Sequence, residues 1–138
     1  MSMNSNASIA AVGLTAWHAM VDSKDPSALD DLLADDAVFH SPVVHSPQSG
    51  KPIVKAYLSA AVQILDNGNF GYVREVVGEN DAVLEFSTVI DGVEINGVDM
   101  IHWNQAGEID DFKVMLRPLK GVNLIHQMMA AALKAGPG

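Results

Sequence analysis

Ala82-Val83-Leu84-Glu85-Phe86-Ser87-Thr88-Val89-Ile90, followed at once by Asp91-Gly92, is the stretch on which the fold turns. It reads as a strand of period two, and Asp91-Gly92 reads as a tight hairpin because both central residues of such a turn must reach positive φ. Working outward, Phe70 to Val77 is a strand running into a turn at Gly78-Glu79-Asn80-Asp81. On the other side a strand spans about Val93 to Asn104, with a bulge expected at Asn96-Gly97. Gln105-Ala106-Gly107 turns the chain into a last strand from Glu108 to Arg117, which Pro118 ends. Val122, Ile125, Met129 and Leu133 then stripe a final helix.

Before Asn69 the period is that of helices. Ile9, Val12, Ala16 and Met20 recur at helical spacing, with Trp17 and Val21 widening the stripe. Asp25-Pro26 supplies an N-cap and a proline at the first position of a short helix carrying Leu29, Leu32 and Leu33. Asp35-Asp36 ends that helix, and Ala37 to Ser41 makes a strand before Pro42. A loop rich in proline and serine runs to Gly50. A third helix starts near Pro52, buries Ile53, Tyr57 and Ile64, and stops at Asn67-Gly68. The first six residues are polar and expected to be loose.

Helices first and strands after indicate an α+β fold. The expected architecture is a cone: a strongly twisted antiparallel sheet packed with helices around an internal pocket, plus an extra C-terminal helix. At 138 residues the chain makes one domain, residues 1–138.

Apolar residues make up 49% of the chain and charged ones 18%, which excludes a disordered chain. Acids outnumber bases 17 to 8, for a net charge of −9. That balance repels phosphate backbones and anionic lipid, so neither nucleic acid nor membrane is an expected partner. Cysteine is absent, which removes disulfides, thiol catalysis and thiolate metal sites. The start has no basic n-region and no apolar run reaches the ~18 residues of a membrane span, so a cytoplasmic location is expected. No phosphate loop or dinucleotide fingerprint occurs, and the five histidines have no metal-ligand spacing. No cofactor and no metal are expected.

The element order, together with Leu29 through Phe39, Ser41-Pro42, Gly50 before the third helix, Asp99 through Trp103, and Ala106-Gly107-Glu108-Ile109, resembles the nuclear transport factor 2-like superfamily. Within it, residues 9 to 117 look like the SnoaL-like and ketosteroid isomerase-like branch. Isomerases of that branch hold a carboxylate base just before the proline that follows the first strand, and here that position is Ser41. Their oxyanion-donating tyrosine in the first helix is matched by Trp17, and their protonated aspartate by Asp99. The resemblance therefore implies a pocket for a small hydrophobic or carbonyl-bearing molecule. It implies cofactor-free acid–base isomerase or cyclase chemistry with Asp99 as the catalytic group and no base at Ser41. A non-catalytic ligand-binding or dimerisation module of the same fold is the alternative.

At period two Asp99 shares a strand face with Ile101 and Trp103. Facing a pocket it becomes a desolvated proton shuttle; facing solvent it is an ordinary strand carboxylate. Trp17 and Val21 lie one turn apart and can face one cavity, or simply the core. Tyr57, Phe86, Phe112, Val114 and Leu116 complete the expected lining, with Ser41 and the loop residue His45 at its mouth. The outer sheet face, with Val83, Val89 and Met115, is expected to pair two copies into a homodimer.

Overall fold

The computed structural model describes residues 7–135. Helix α1 (Ile9–Ser23) is capped by Ser8, whose hydroxyl accepts from the Ala11 N–H, and ends at Lys24 in the left-handed conformation. A 3₁₀ turn over Pro26–Ala28, capped by Asp25, leads into the one-turn α2 (Leu29–Leu32). Strand β1 (Leu33–His40) follows, then a two-residue strand β2 (Gln48–Ser49) and helix α3 (Lys51–Leu65). Strands β3 (Gly71–Val77), β4 (Asp81–Ile90), β5 (Val93–Trp103) and β6 (Ile109–Arg117) precede helix α4 (Leu119–Ala135). The strands form one sheet in the order β2-β1-β6-β5-β4-β3. β3 to β6 are an antiparallel meander, whereas β1 lies parallel to β6, so the sheet is mixed.

Three expectations about local structure need correction. The strand expected from Ala37 begins instead at Leu33, because Leu33 pairs with Ile109 and both side chains are buried. Asp35 and Asp36 lie inside β1 rather than ending a helix: between the pairs Leu33–Ile109 and Val38–Asp111 the register shifts, and the two carboxylates sit exposed on the irregular segment. Nor is there a bulge at Asn96-Gly97, which pair in unbroken register with Arg117 and Leu116. Gly97 is required for space instead, since a Cβ there would lie 2.6 Å from Phe86 Cζ and 2.7 Å from Leu116 Cδ2. The register shifts of the meander fall between Tyr72 and Arg74 and between His102 and Trp103. The Asp91-Gly92 hairpin has both residues at positive φ, 51° and 77°.

The main core lies between the concave sheet face and helices α1 and α3. It gathers Leu14, Trp17 and Met20 of α1, Val54 and Leu58 of α3, and Phe86, Ile101, Trp103 and Phe112 of the sheet. A smaller cluster under α4 joins Ile125 to Ile90 and Ile95. Between these two bodies the helices do not close on the sheet, and the gap is the cavity.

Candidate active site

The cavity is lined from every side by elements already named. α1 supplies Trp17 and Val21; α3 supplies Tyr57, Leu58, Ala61 and Leu65. From the sheet come Phe39, Tyr72, Asp99, Phe112, Val114 and Leu116, and from α4 come Ile125, His126, Met129 and Leu133. Ser41, Pro42, Val43 and Val44 of the loop after β1 complete the wall. The lining is overwhelmingly apolar, so the polar groups that do face it carry the chemistry.

Asp99 is one of them. Burial raises its carboxyl from the ordinary 3.8 to about 7, and a hydrogen bond from Tyr72 opposes part of that rise. Tyr72 Oη donates to Asp99 Oδ2 at 3.1 Å and accepts from Trp17 Nε1 at 3.0 Å. Asp99 Oδ1 has no partner among the described residues, and none of the fully buried polar side-chain atoms is left unpaired, so Oδ1 opens to the cavity. Burial and the Asp99 charge push the Tyr72 hydroxyl far above the ordinary tyrosine range, so it stays a donor. The result is a chain of hydrogen bonds, indole to phenol to carboxyl, whose last member presents a free oxygen to an apolar chamber. When protonated, that oxygen donates to a carbonyl; when ionised, it accepts a proton.

Of the residues expected at the site, Trp17, Val21, Ser41, Tyr57, Asp99, Phe112, Val114 and Leu116 converge on this cavity. Four do not. Phe86 is buried beneath the rings of Phe70 and Tyr72, at centroid distances of 5.3 and 6.5 Å. Ile101 and Trp103 share the face of Asp99 but lie in the core, 1% exposed. α1 lies directly over this end of β5, for a Cβ on Gly13 would meet Trp103 Nε1 at 2.2 Å. His45 stands exposed on the loop, because the Ser41 hydroxyl accepts from the Val43 and Val44 N–H groups (3.1 and 3.4 Å) and turns those valines, not the histidine, to the cavity.

The same two bonds define what Ser41 does: its oxygen caps the loop. Trp17 likewise gives its N–H to Tyr72 and not to the chamber. Three polar liners went unread in the sequence, namely Tyr72, Asp66 and His126. The alternation Phe70, Tyr72, Arg74 hides Tyr72 by grouping it with an outward arginine; the register shift after Tyr72 separates the two. The remaining three histidines face elsewhere, His18 on Glu75 at 2.6 Å, His40 on Asp111 at 2.9 Å and His102 on Asp110 at 2.6 Å. The Asp110 hydrogen bond raises the His102 pKa. Among the described residues no group of three or more His, Cys, Asp or Glu side chains is placed to hold a metal ion, and no helix is long and apolar enough to cross a membrane.

A curved mixed sheet wrapped by helices around such a chamber is the nuclear transport factor 2-like fold. The chain belongs to the family of the SnoaL-like domain, which matches residues 14–112. A crystal structure of a steroid delta-isomerase from Pseudomonas aeruginosa is similar, with 35% identity, 94% of both chains covered and a TM-score of 0.87. An uncharacterised protein with a cystatin-like fold from Silicibacter pomeroyi shares 32% identity over 86% of this chain and 83% of that one, at a TM-score of 0.78. A Mycobacterium tuberculosis protein, Rv0760c, solved in complex with estradiol-17beta-hemisuccinate, shares the fold at 19% identity, covering 81% of this chain and 100% of that one with a TM-score of 0.61. No significant match is found among curated proteins.

Proposed function

We propose that the chamber binds a rigid hydrophobic molecule carrying a ketone oxygen, and that Asp99 polarises that oxygen in cofactor-free proton transfer on the adjacent carbon. The observation that carries this reading is the free Oδ1 of a buried carboxyl whose pKa is raised to about 7, at the wall of an apolar cavity. A carboxyl of that kind holds a proton near neutrality and donates it to an oxygen that gains charge as the neighbouring C–H bond breaks. The likeness to a structure described as a steroid delta-isomerase supports polycyclic ketones as the ligand class.

A second reading, binding without catalysis, is favoured by Ser41. Its hydroxyl is engaged by the loop and stands where the related isomerases place their base. Both readings require ligand in the chamber, and both suit a homodimer. Val76, Val89, Met100 and Met115 leave 60%, 39%, 37% and 51% of their surface exposed on β3 to β6, outside the helix-covered core.

The test is titration with androstenedione, followed by the fluorescence of Trp17. Trp103 lies away from the cavity, so a Trp17→Phe variant separates the two indoles. Saturable quenching lost in Trp17→Phe is expected. No saturable change for androstenedione or estradiol would remove the proposed ligand class.

A further inference from the structure

We infer that Asp66 is the proton acceptor of this chamber, taking the role that Ser41 does not fill. The inference rests on the proposed ketone chemistry and supplies the group which that chemistry lacks. Ser41 Oγ is tied to the loop amides, Trp17 Nε1 to Tyr72, and Tyr72 Oη to Asp99. The polar liners left to act on a ligand's carbon atoms are Tyr57, Asp66 and His126. Of these, Asp66 is a carboxylate with only 19% of its side chain exposed. It caps the C-terminus of α3, its own N–H bonded to the Val62 carbonyl at 2.9 Å, so its place is fixed by a regular element.

Asp66 lines not one opening but two. Together with Val21, Phe70 and Tyr72 it borders both the chamber and a notch on the surface, where Lys24 also lies. Lys24 Nζ is 4.0 Å from Asp66 Oδ1 and 64% exposed, a counter-ion at the water side. Tyr72 is common to both openings and bonds Asp99, so one tyrosine borders the chamber beside both carboxylates. One carboxyl is sealed in an apolar wall and the other reaches water beside a cation. That asymmetry divides the labour of proton transfer: the sealed group donates to the ligand's oxygen, and the open one accepts from its carbon. His126 is an exposed side chain on α4 at the outer part of the wall and has no such setting.

For a β,γ-unsaturated ketone the step balances without any co-reactant. Asp66 removes a proton from the carbon between the carbonyl and the double bond. The C–H pair becomes a new C=C bond, and the carbonyl pair moves to oxygen, where the Asp99 proton is hydrogen-bonded to it. The dienolate then collapses, taking the proton from Asp66 at its far carbon and leaving the conjugated ketone.

The experiment uses the full chain with the β,γ-unsaturated isomer of androstenedione as substrate and androstenedione fluorescence titration as the binding readout. Wild type is expected to turn the substrate over, and Asp66→Asn to lower kcat by at least ~100-fold while the Kd for androstenedione stays within about threefold. Asp66→Ser, which retains a side-chain oxygen at the helix end, serves if Asn disturbs folding. Wild type that binds androstenedione without turnover overturns the inference and leaves the binding reading intact. So does Asp66→Asn with full kcat, or a comparable loss in His126→Ala with Asp66→Asn active. Absence of binding by wild type overturns the proposed ligand class itself.

Discussion

Tyr72 on the edge strand β3 donates to Asp99 on β5 across 3.1 Å, a bond that passes over the intervening strand β4. Phe86, the β4 residue paired with both Tyr72 and Gly97, fills the space beneath it. Gly97 makes room for that ring, and the curved sheet brings β3 toward the chamber, so a tyrosine two strands away closes on the acid. The site therefore depends on sheet curvature and on a glycine that never touches ligand.

The Asp99 carboxyl makes folding stability depend on pH in a defined direction. Its pKa in the folded protein is about 7 against an ordinary 3.8, so the folded protein keeps a proton that the unfolded chain releases. The contribution of Asp99 to stability is greatest below 3.8, falls as pH rises from there to about 7, and then levels off. The loss is on the order of 4 kcal/mol at most, from roughly three pH units at 1.36 kcal/mol each. Asp99→Asn is expected to flatten that part of the profile, read by denaturant midpoints between acid and neutral pH. A site-resolved NMR titration placing Asp99 near or below 4 would contradict the proton-donor role.

Removing the middle of the hydrogen-bond chain has two separable effects. Tyr72→Phe leaves the indole N–H of Trp17 without an acceptor in a side chain only 2% exposed, which costs about 1–3 kcal/mol. It also deletes the bond that lowers the Asp99 pKa, so the carboxyl should titrate higher still. Thermal or urea denaturation reads the first effect and NMR the second. A variant as stable as wild type, with Asp99 unmoved, would show that the chain is not formed in solution.

The features legible in the sequence were those that repeat with a period or follow from a turn's backbone. Asp91-Gly92 announced its positive φ, and Ile9 to Val21 announced a helix with Trp17 inside. Asp99 was traceable because strand alternation and family resemblance agreed. What escaped was decided by one-residue shifts and by which helix lies over which strand end. Tyr72 is hidden by its alternation with Arg74, which only the register shift between them undoes, and Asp66 by its place just before the Asn67-Gly68 stop signal of the helix. Ile101 and Trp103 share Asp99's face, yet nothing in a period-two pattern reveals that α1 covers them and not the acid.

That cover is itself testable at Gly13. In an exposed helix interior, glycine to alanine stabilises by roughly 1 kcal/mol. Here the added methyl would lie 2.2 to 2.7 Å from three atoms of the buried Trp103 indole, so the sign reverses. Gly13→Ala is expected to destabilise by about 1–3 kcal/mol through overpacking, measured by urea denaturation. A stabilised variant would mean that α1 stands farther from β5 than the structure has it.

Ser41→Asp is the change that family resemblance suggests for restoring a base, and the loop geometry argues that it will not. The Ser41 oxygen already accepts from the Val43 and Val44 N–H groups. An aspartate at this position has the same short reach and a stronger acceptor, and such side chains bond backbone amides two and three residues on. Its carboxylate would satisfy those amides and face the loop, leaving the chamber as it was. Accordingly Ser41→Asp should fold normally and, placed in an Asp66→Asn background, should recover less than about tenfold of the lost turnover of the unconjugated ketosteroid. That is well short of the ~10²–10⁴-fold that a positioned base supplies. Recovery to wild-type turnover would show that position 41 presents its side chain to the ligand, and that its serine, not the loop, is what withholds the base there.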